Sequence, residues 1–241
     1  MSITIKARIE SYEVQPNDIV RPSTLFRLFQ KASGDDLDQI GLTYDFLRDN
    51  GIVFVLTKIT LKYFENIHSY DIVEITTRPR CCKGVSFVRD FDVFVSGKRV
   101  AYATSTWVLL DINSRKLLRP SAIDKLGTIK TDSENIITIE DRRMKFDTAS
   151  MNKTDVREVY YSQIDRNGHM NNTFYPDIVY DYFPDEYKDN DKGKIMSVYY
   201  SSEVMRSEKI QIYTKPGENE FLFVAKNPDT GKDIFTSLID F

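Results

Sequence analysis

Apolar and polar residues alternate from Ile3 to Ile9 within residues 2–14 (SITIKARIESYEV), the period-two pattern of a half-buried strand, and Pro16 to Asp18 end it. From Arg21 to Ile40 the period lengthens. Leu25, Leu28, Phe29, Ala32, Leu37 and Ile40 fall near one helical stripe, with Pro22 and Ser23 suited to its first turn. Gly34 lies inside that helix at a cost of about 1 kcal/mol relative to Ala, which predicts a neighbour that approaches closely. Gly41 closes the helix, and residues 44–49 add a short turn.

Beyond Gly51 four segments rich in Val, Ile, Thr and aromatics read as successive strands: residues 52–64, 71–80, 85–96 and 98–112. Ser96 to Lys98, around Gly97, makes the last two an antiparallel hairpin. Residues 117–154 lose the periodicity and read as a connection. The order then repeats, with a strand at 156–164, a helix at 172–183 and strands at 194–205, 208–215, 220–226 and 232–241. Internal duplication is the economical explanation. The expected units are 1–120 and 155–241, joined by a linker at 121–154. Each is an α+β unit with a helix lying across a curved antiparallel sheet, and two such sheets could join at their open edges.

Composition narrows the class of function. The 241 residues are 41% hydrophobic and 29% charged, with a formal charge of -3, which argues against broad nucleic-acid binding. No run approaches the roughly 18 apolar residues of a membrane span, and charges at Lys6, Arg8, Glu10 and Glu13 interrupt any signal-peptide core, so the cytoplasm is the expected compartment. Cys81 and Cys82, the two cysteines, read as thiols at a strand end, since direct neighbours pair only with strain. With His68 and His169 the only histidines and no cysteine pair at ligand spacing, no metal site is expected. His68, between Asn66 and Ser69, reads as a surface residue.

The densest reactive stretch is Tyr160 to Pro184, YYSQIDRNGHMNNTFYPDIVYDYFP. Asp165, Asn167 and His169 stand at i, i+2 and i+4, so in an extended segment their side chains would share one face. Gly168 could let the loop press against a ligand. Pro176, tolerated in a first turn, places the helix start near Asn172 or Thr173. Amides at a helix start are unpaired and carry partial positive charge, which makes Gly168, Asn171 and Asn172 candidate oxyanion donors. The bland alternative is a capping loop with Asn171 or Asn172 as N-cap.

Asp165-Arg166-Asn167-Gly168-His169-Met170-Asn171-Asn172 matches the D-x-N-x-H-x-N-N signature of the acyl-acyl-carrier-protein (acyl-ACP) thioesterases, and the chain resembles that family in two further places. Ala103 to Asp111, with Trp107, is similar to the segment closing the first repeat. Tyr200-Ser201-Ser202-Glu203-Val204 is similar to the strand on which plant members carry a Glu-Cys pair. Here Val204 replaces the cysteine, which removes a thiol nucleophile at that position.

The resemblance implies a double hotdog fold and hydrolysis of fatty acyl-ACP without cofactor or metal. It implies Asp165, Asn167, His169 and Glu203 as catalytic residues, the choice of base among Asp165, His169 and Glu203 being open. It also implies an apolar tunnel in the first hotdog, for which Leu25, Phe29, Phe54 and Leu56 are lining candidates, and a homodimer. The partner, acyl carrier protein, is acidic, so the docking surface should be basic. Arg78, Arg80 and Lys83, or Arg142, Arg143 and Lys145, are the candidates. An acyl-CoA thioesterase and a non-catalytic acyl-binding module are the competing readings.

Overall fold

The alternation at the start of the chain forms an edge strand, β1 (Ile3–Arg8), whose residues are by turns half-buried and exposed. It belongs to the first of two compact units, Met1–Ile139 and Glu140–Phe241, into which a computed structural model divides the chain. The structure describes residues 2–80, 82–132, 136–139, 146–189 and 194–241. Cys81 and the basic candidates Arg142, Arg143 and Lys145 therefore lie outside the described residues.

Helix α1 (Pro22–Asp38) starts on Pro22, as the missing proline N–H favours. A second short helix, α2 (Tyr44–Asp49), is capped by the Thr43 side chain, which accepts from the Phe46 amide. Then come β2 (Ile52–Tyr63), β3 (Ile72–Pro79), β4 (Ser86–Val95) and β5 (Lys98–Asp111). Ser96 and Gly97 both take positive φ, 50° and 78°, the requirement of a two-residue hairpin turn. The strands lie antiparallel in the order β1-β3-β4-β5-β2. The two-residue β6 (Leu117–Leu118) adds to β5, and α3 (Ser121–Asp124) buries Ile123 in a cluster with Leu42, Leu47, Ile52 and Leu109. Ordered structure of the first unit thus continues past residue 120.

Side chains at 25, 29, 32 and 36 fall on the buried stripe of α1, the spacing that a 3.6-residue period requires. Phe29 stacks on Phe91 of β4 with ring centroids 4.5 Å apart, and Asp36 reaches Arg89 at 2.8 Å. Gly34 is exposed, and a Cβ added there would meet nothing within 4 Å. No close approach explains it. Gly34→Ala is therefore expected to raise stability by about 0.5–1 kcal/mol, read as a higher urea midpoint at unchanged slope.

Because Arg89 and Phe91 face α1, alternation turns Asp90 and Asp92 to the opposite face of the sheet. There Arg78 pairs with Asp92 and Arg80 with Asp90, while Arg99 lies 2.7 Å from Asp92. Thr104 donates to Asp90 at 2.9 Å, and Arg80 donates to the Tyr102 hydroxyl at 2.7 Å. Desolvation and Asp90 push the Tyr102 hydroxyl up, and the pull of Asp90 holds the Arg80 guanidinium above its ordinary value against its own desolvation. The docking role expected for Arg78 and Arg80 is corrected by this pairing, since both charges are turned inward; Lys83 alone of that trio is exposed.

The second unit repeats the first strand for strand. Its elements are β7 (Asn152–Glu158), α4 (Tyr175–Asp181), α5 (Asp185–Asp189), β8 (Ile195–Tyr200), β9 (Lys209–Pro216), β10 (Glu220–Lys226) and β11 (Asp233–Asp240). The order is β7-β9-β10-β11-β8, again antiparallel. Strand β7 ends six residues before the expected Ile164, because the Tyr160 amide donates to the Gln163 side chain and closes a 3-10 turn at Tyr161–Gln163. Helix α4 is shorter than the sequence predicts: a 3-10 turn (Asn172–Phe174) precedes it, and Pro184 disfavours helical geometry at Phe183. Among the described residues no helix is long and apolar enough to cross a membrane.

Candidate active site

The signature loop is a tight turn, not an extended run. The Gly168 amide donates to the Asp165 carbonyl at 3.0 Å, and the Asp165 amide donates to the His169 carbonyl at 2.9 Å. The Asp165 carboxylate accepts the Asn167 amide at 2.7 Å, an Asx turn of the kind aspartate favours. Asp165 and His169 therefore face each other across the turn, with Asn167 exposed at its tip. Gly168 adopts φ +81°, and a Cβ there would touch nothing within 4 Å. Conformation requires this glycine; close approach does not.

A second loop, between β8 and β9, lies beside the first. The Met170 amide donates to the Val204 carbonyl at 2.8 Å, and His169 bridges to Met205. The amides of Ser201 and Ser202 both donate to the Ile234 carbonyl, at 2.9 and 3.1 Å, which ends β8. Glu203 consequently sits in a loop and not on the strand that the resemblance implied. Its carboxylate lies 3.3 Å from His169 Nε2, the side chains being 33% and 23% exposed. Val204 is buried.

Asn171 is the N-cap of the turn leading into α4, its side chain accepting from the Thr173 amide at 2.9 Å and the Thr173 hydroxyl at 2.8 Å. Its own amide donates to Gln163. Two of the three expected oxyanion donors, the amides of Gly168 and Asn171, are thus spent within the loop. Among the described residues, no acceptor lies against the amides of His169 and Asn172. The Asn172 carbonyl accepts from the Tyr200 hydroxyl at 3.0 Å, which holds the peptide joining Asn172 to Thr173. Tyr175 packs edge-on against Tyr200 and Phe235, at 5.0 and 4.7 Å between centroids. Burial, then the charges of Glu203, Asp165 and Glu208, push its hydroxyl well above the ordinary tyrosine value. The role of Tyr200 has no signal in the sequence, where it reads only as the end of a strand.

The first unit contains the same hydrogen-bonded frame with different side chains. The Gln15 amide donates to Ile19, Asp18 to Gln15 and Val20 to Ile67, at 2.7, 2.9 and 2.8 Å, with Asp18 at φ 63°. By these bonds Gln15, Asn17, Ile19 and Asn66 stand where the second unit has Asp165, Asn167, His169 and Glu203. His68 stands where Met205 does and is half-exposed, its Nδ1 3.0 Å from the Asp18 carbonyl. Of the lining candidates, Leu25 and Phe29 are wholly buried beneath α1 and Leu56 is buried. Phe54 is half-buried and meets Phe87 edge-on at 5.2 Å.

Two helix-on-sheet repeats, one of them carrying a His–Glu pair, define a double hotdog protein. Two solved structures share the fold along nearly their full length. An acyl-ACP thioesterase from Bacteroides thetaiotaomicron matches with a TM-score of 0.88 at 22% identity, covering 100% of this chain and 97% of that one. The 12:0-ACP thioesterase from Umbellularia californica matches at 0.82 with 17% identity, covering 99% and 96%. Residues 2–122 match the acyl-ACP thioesterase N-terminal domain and residues 145–235 its C-terminal domain, so the chain belongs to the acyl-ACP thioesterase family. It is 22% identical over 236 residues to the chloroplastic oleoyl-acyl carrier protein thioesterase 1 of Arabidopsis thaliana, covering 89% of this chain and 64% of that protein. The chain thus spans less than two thirds of that plant relative's length.

Proposed function

We propose that the chain hydrolyses fatty acyl-ACP to free fatty acid and holo-carrier by activated water, a step that terminates fatty-acid synthesis. The observation that carries this reading is the 3.3 Å contact between His169 and Glu203, present on one of two otherwise equivalent loops. The second unit is assigned the chemistry. The first is assigned the acyl chain, with Phe54 the candidate least committed to the core.

The Asp165 carboxylate is occupied in shaping the turn, which leaves Glu203 and His169 as the base. Water held at this pair attacks the thioester carbonyl carbon, and the pair takes its proton. The carbonyl oxygen, as it gains charge, is received by the amides of His169 and Asn172. Collapse of the intermediate breaks the C–S bond, and the leaving thiolate takes back the proton. Asn167, at the tip of the turn, is assigned to orient the water or the carbonyl.

Purified protein incubated with matched acyl-ACP and acyl-CoA should release free thiol faster from the protein carrier; turnover of neither would overturn the reading. Faster turnover of the CoA ester would keep the chemistry and change the substrate. Because Val204 supplies no thiol and Cys82 is exposed outside the loop pair, alkylation with iodoacetamide should leave the rate unchanged. Loss of activity after alkylation would restore a thiol mechanism.

A further inference from the structure

Beneath the first turn of α4 lies a hydroxyl that the proposed chemistry does not use. Tyr175 is 3% exposed, its ring held edge-on by Tyr200 and Phe235. Among the described residues its hydroxyl makes no hydrogen bond, whereas the neighbouring Tyr200 hydroxyl is bonded to the Asn172 carbonyl. A buried donor without an acceptor costs free energy, so its presence calls for an acceptor that arrives with a ligand.

The other unit marks this hydroxyl as an addition to the shared frame. The Arg21 amide donates to the Glu13 carbonyl and the Thr24 amide to the Arg21 carbonyl, at 3.1 and 3.0 Å. In the same way the Asn171 amide donates to Gln163 and the Phe174 amide to Asn171, at 2.9 and 3.0 Å. Leu25 therefore stands where Tyr175 does, and it is wholly buried. The Phe64 and Glu65 amides share the Val100 carbonyl as those of Ser201 and Ser202 share Ile234, which puts Tyr63 where Tyr200 stands. The strand tyrosine thus recurs in both units. The helix tyrosine occurs only in the unit that carries the His169–Glu203 pair.

Position and charge define what this hydroxyl can bind. Residues three apart eclipse in a 3-10 turn, so after Asn172–Phe174 the chain brings Tyr175 over Asn172, whose amide is assigned to the carbonyl oxygen. Burial, then the charges of Glu203, Asp165 and Glu208, hold the proton on the hydroxyl, so it donates a hydrogen bond and does not serve as a base. Ring contacts on two sides fix it before substrate arrives, as an oxyanion donor requires. Resting on the proposed function, we propose that the Tyr175 hydroxyl is a third donor to the thioester carbonyl oxygen, beside the amides of His169 and Asn172. It keeps its proton throughout, and its bond strengthens as the oxygen gains charge.

Tyr175→Phe removes the hydroxyl and keeps the ring. Its urea midpoint should equal that of the wild type, because no bond within the fold is lost. A lower midpoint would show the hydroxyl bonded within the protein and overturn the proposal. With acyl-ACP, kcat should fall about a hundredfold with KM within about twofold, the loss that follows removal of one oxyanion donor. A fall smaller than about threefold would overturn it.

Binding separates this hydroxyl from the reading beneath it, since it needs no turnover. An alkyl trifluoromethyl ketone, whose hydrate carries the tetrahedral oxygens, should bind Tyr175→Phe about tenfold or more weakly than it binds the wild type. The matching S-alkyl pantetheine, a thioether without a carbonyl oxygen, should bind the two proteins within about twofold of each other. Equal losses for the two ligands would make Tyr175 a wall of the acyl site, and no loss for the ketone would leave the oxygen without this donor; either overturns the proposal. A wild type that shows the selectivity yet hydrolyses no ester would overturn the catalytic reading and leave the donor standing.

Discussion

His169→Ala is expected to lower kcat for thioester hydrolysis by about a thousandfold, within the 10²–10⁴ range that a positioned acid–base group contributes. An imidazole nitrogen can accept a proton from water and return it to a leaving group. Its position rests on backbone bonds on either side, the Asp165 amide to its carbonyl and the Met170 amide to Val204, and these survive removal of the ring. Stability should therefore change little, and far-UV and near-UV dichroism should match the wild type. Single-turnover hydrolysis of acyl-ACP by the folded variant is the measurement; a loss below about tenfold would remove His169 from the chemistry. Glu203→Gln should fall in the same range. Asp165→Asn keeps an oxygen to accept the Asn167 amide and should lose less than His169→Ala, whereas a loss as large would return Asp165 to the candidates for base.

The second large effect concerns stability. Asp92 is 1% exposed and sits between the buried Arg78 and the partly exposed Arg99, so Asp92→Ala leaves the Arg78 guanidinium buried without its carboxylate and beside a second cation. Breaking a buried pair in this way costs about 3–5 kcal/mol, far more than the pair itself contributes when intact. Urea unfolding followed by tryptophan fluorescence reports on this unit directly, because Trp107 lies in β5 of the same sheet. A destabilisation below about 1 kcal/mol would mean that water reaches the arginines. The companion change Asp92→Asn preserves shape and should fall between the two, which separates lost charge from lost packing.

How far the sequence reveals this depends on the range of the interaction. Local patterns transfer well: the strand runs, the hairpin at Ser96–Gly97 and the cap at Asn171 each depend on residues a few positions apart. The boundaries that moved did so through bonds that a hydrophobic pattern does not encode. Gln163 folds back onto the Tyr160 amide and ends a strand early. The Ser201 and Ser202 amides share one carbonyl and place Glu203 in a loop. Asp90 and Asp92 alternate with apolar residues as a solvent-facing strand would, yet the chain after α3 lies along β3, with the Asp132 amide donating to the Pro79 carbonyl at 2.8 Å. Coverage by a distant segment turned two expected docking arginines into interior ones. In the site, resemblance named Glu203, but its contact with His169 and the Tyr200 bond to Asn172 are tertiary.

The loop at Val14–Val20 gives the molecule an internal reference. Both loops hold the same frame of hydrogen bonds, so what they have in common reports the demands of architecture, and what separates them lies in their side chains. The turn, the left-handed residue and the paired amides recur in each; Ile19 against His169 and Asn66 against Glu203 do not. A backbone frame that recurs with such different side chains does not depend on any of them, so it is a property of the architecture.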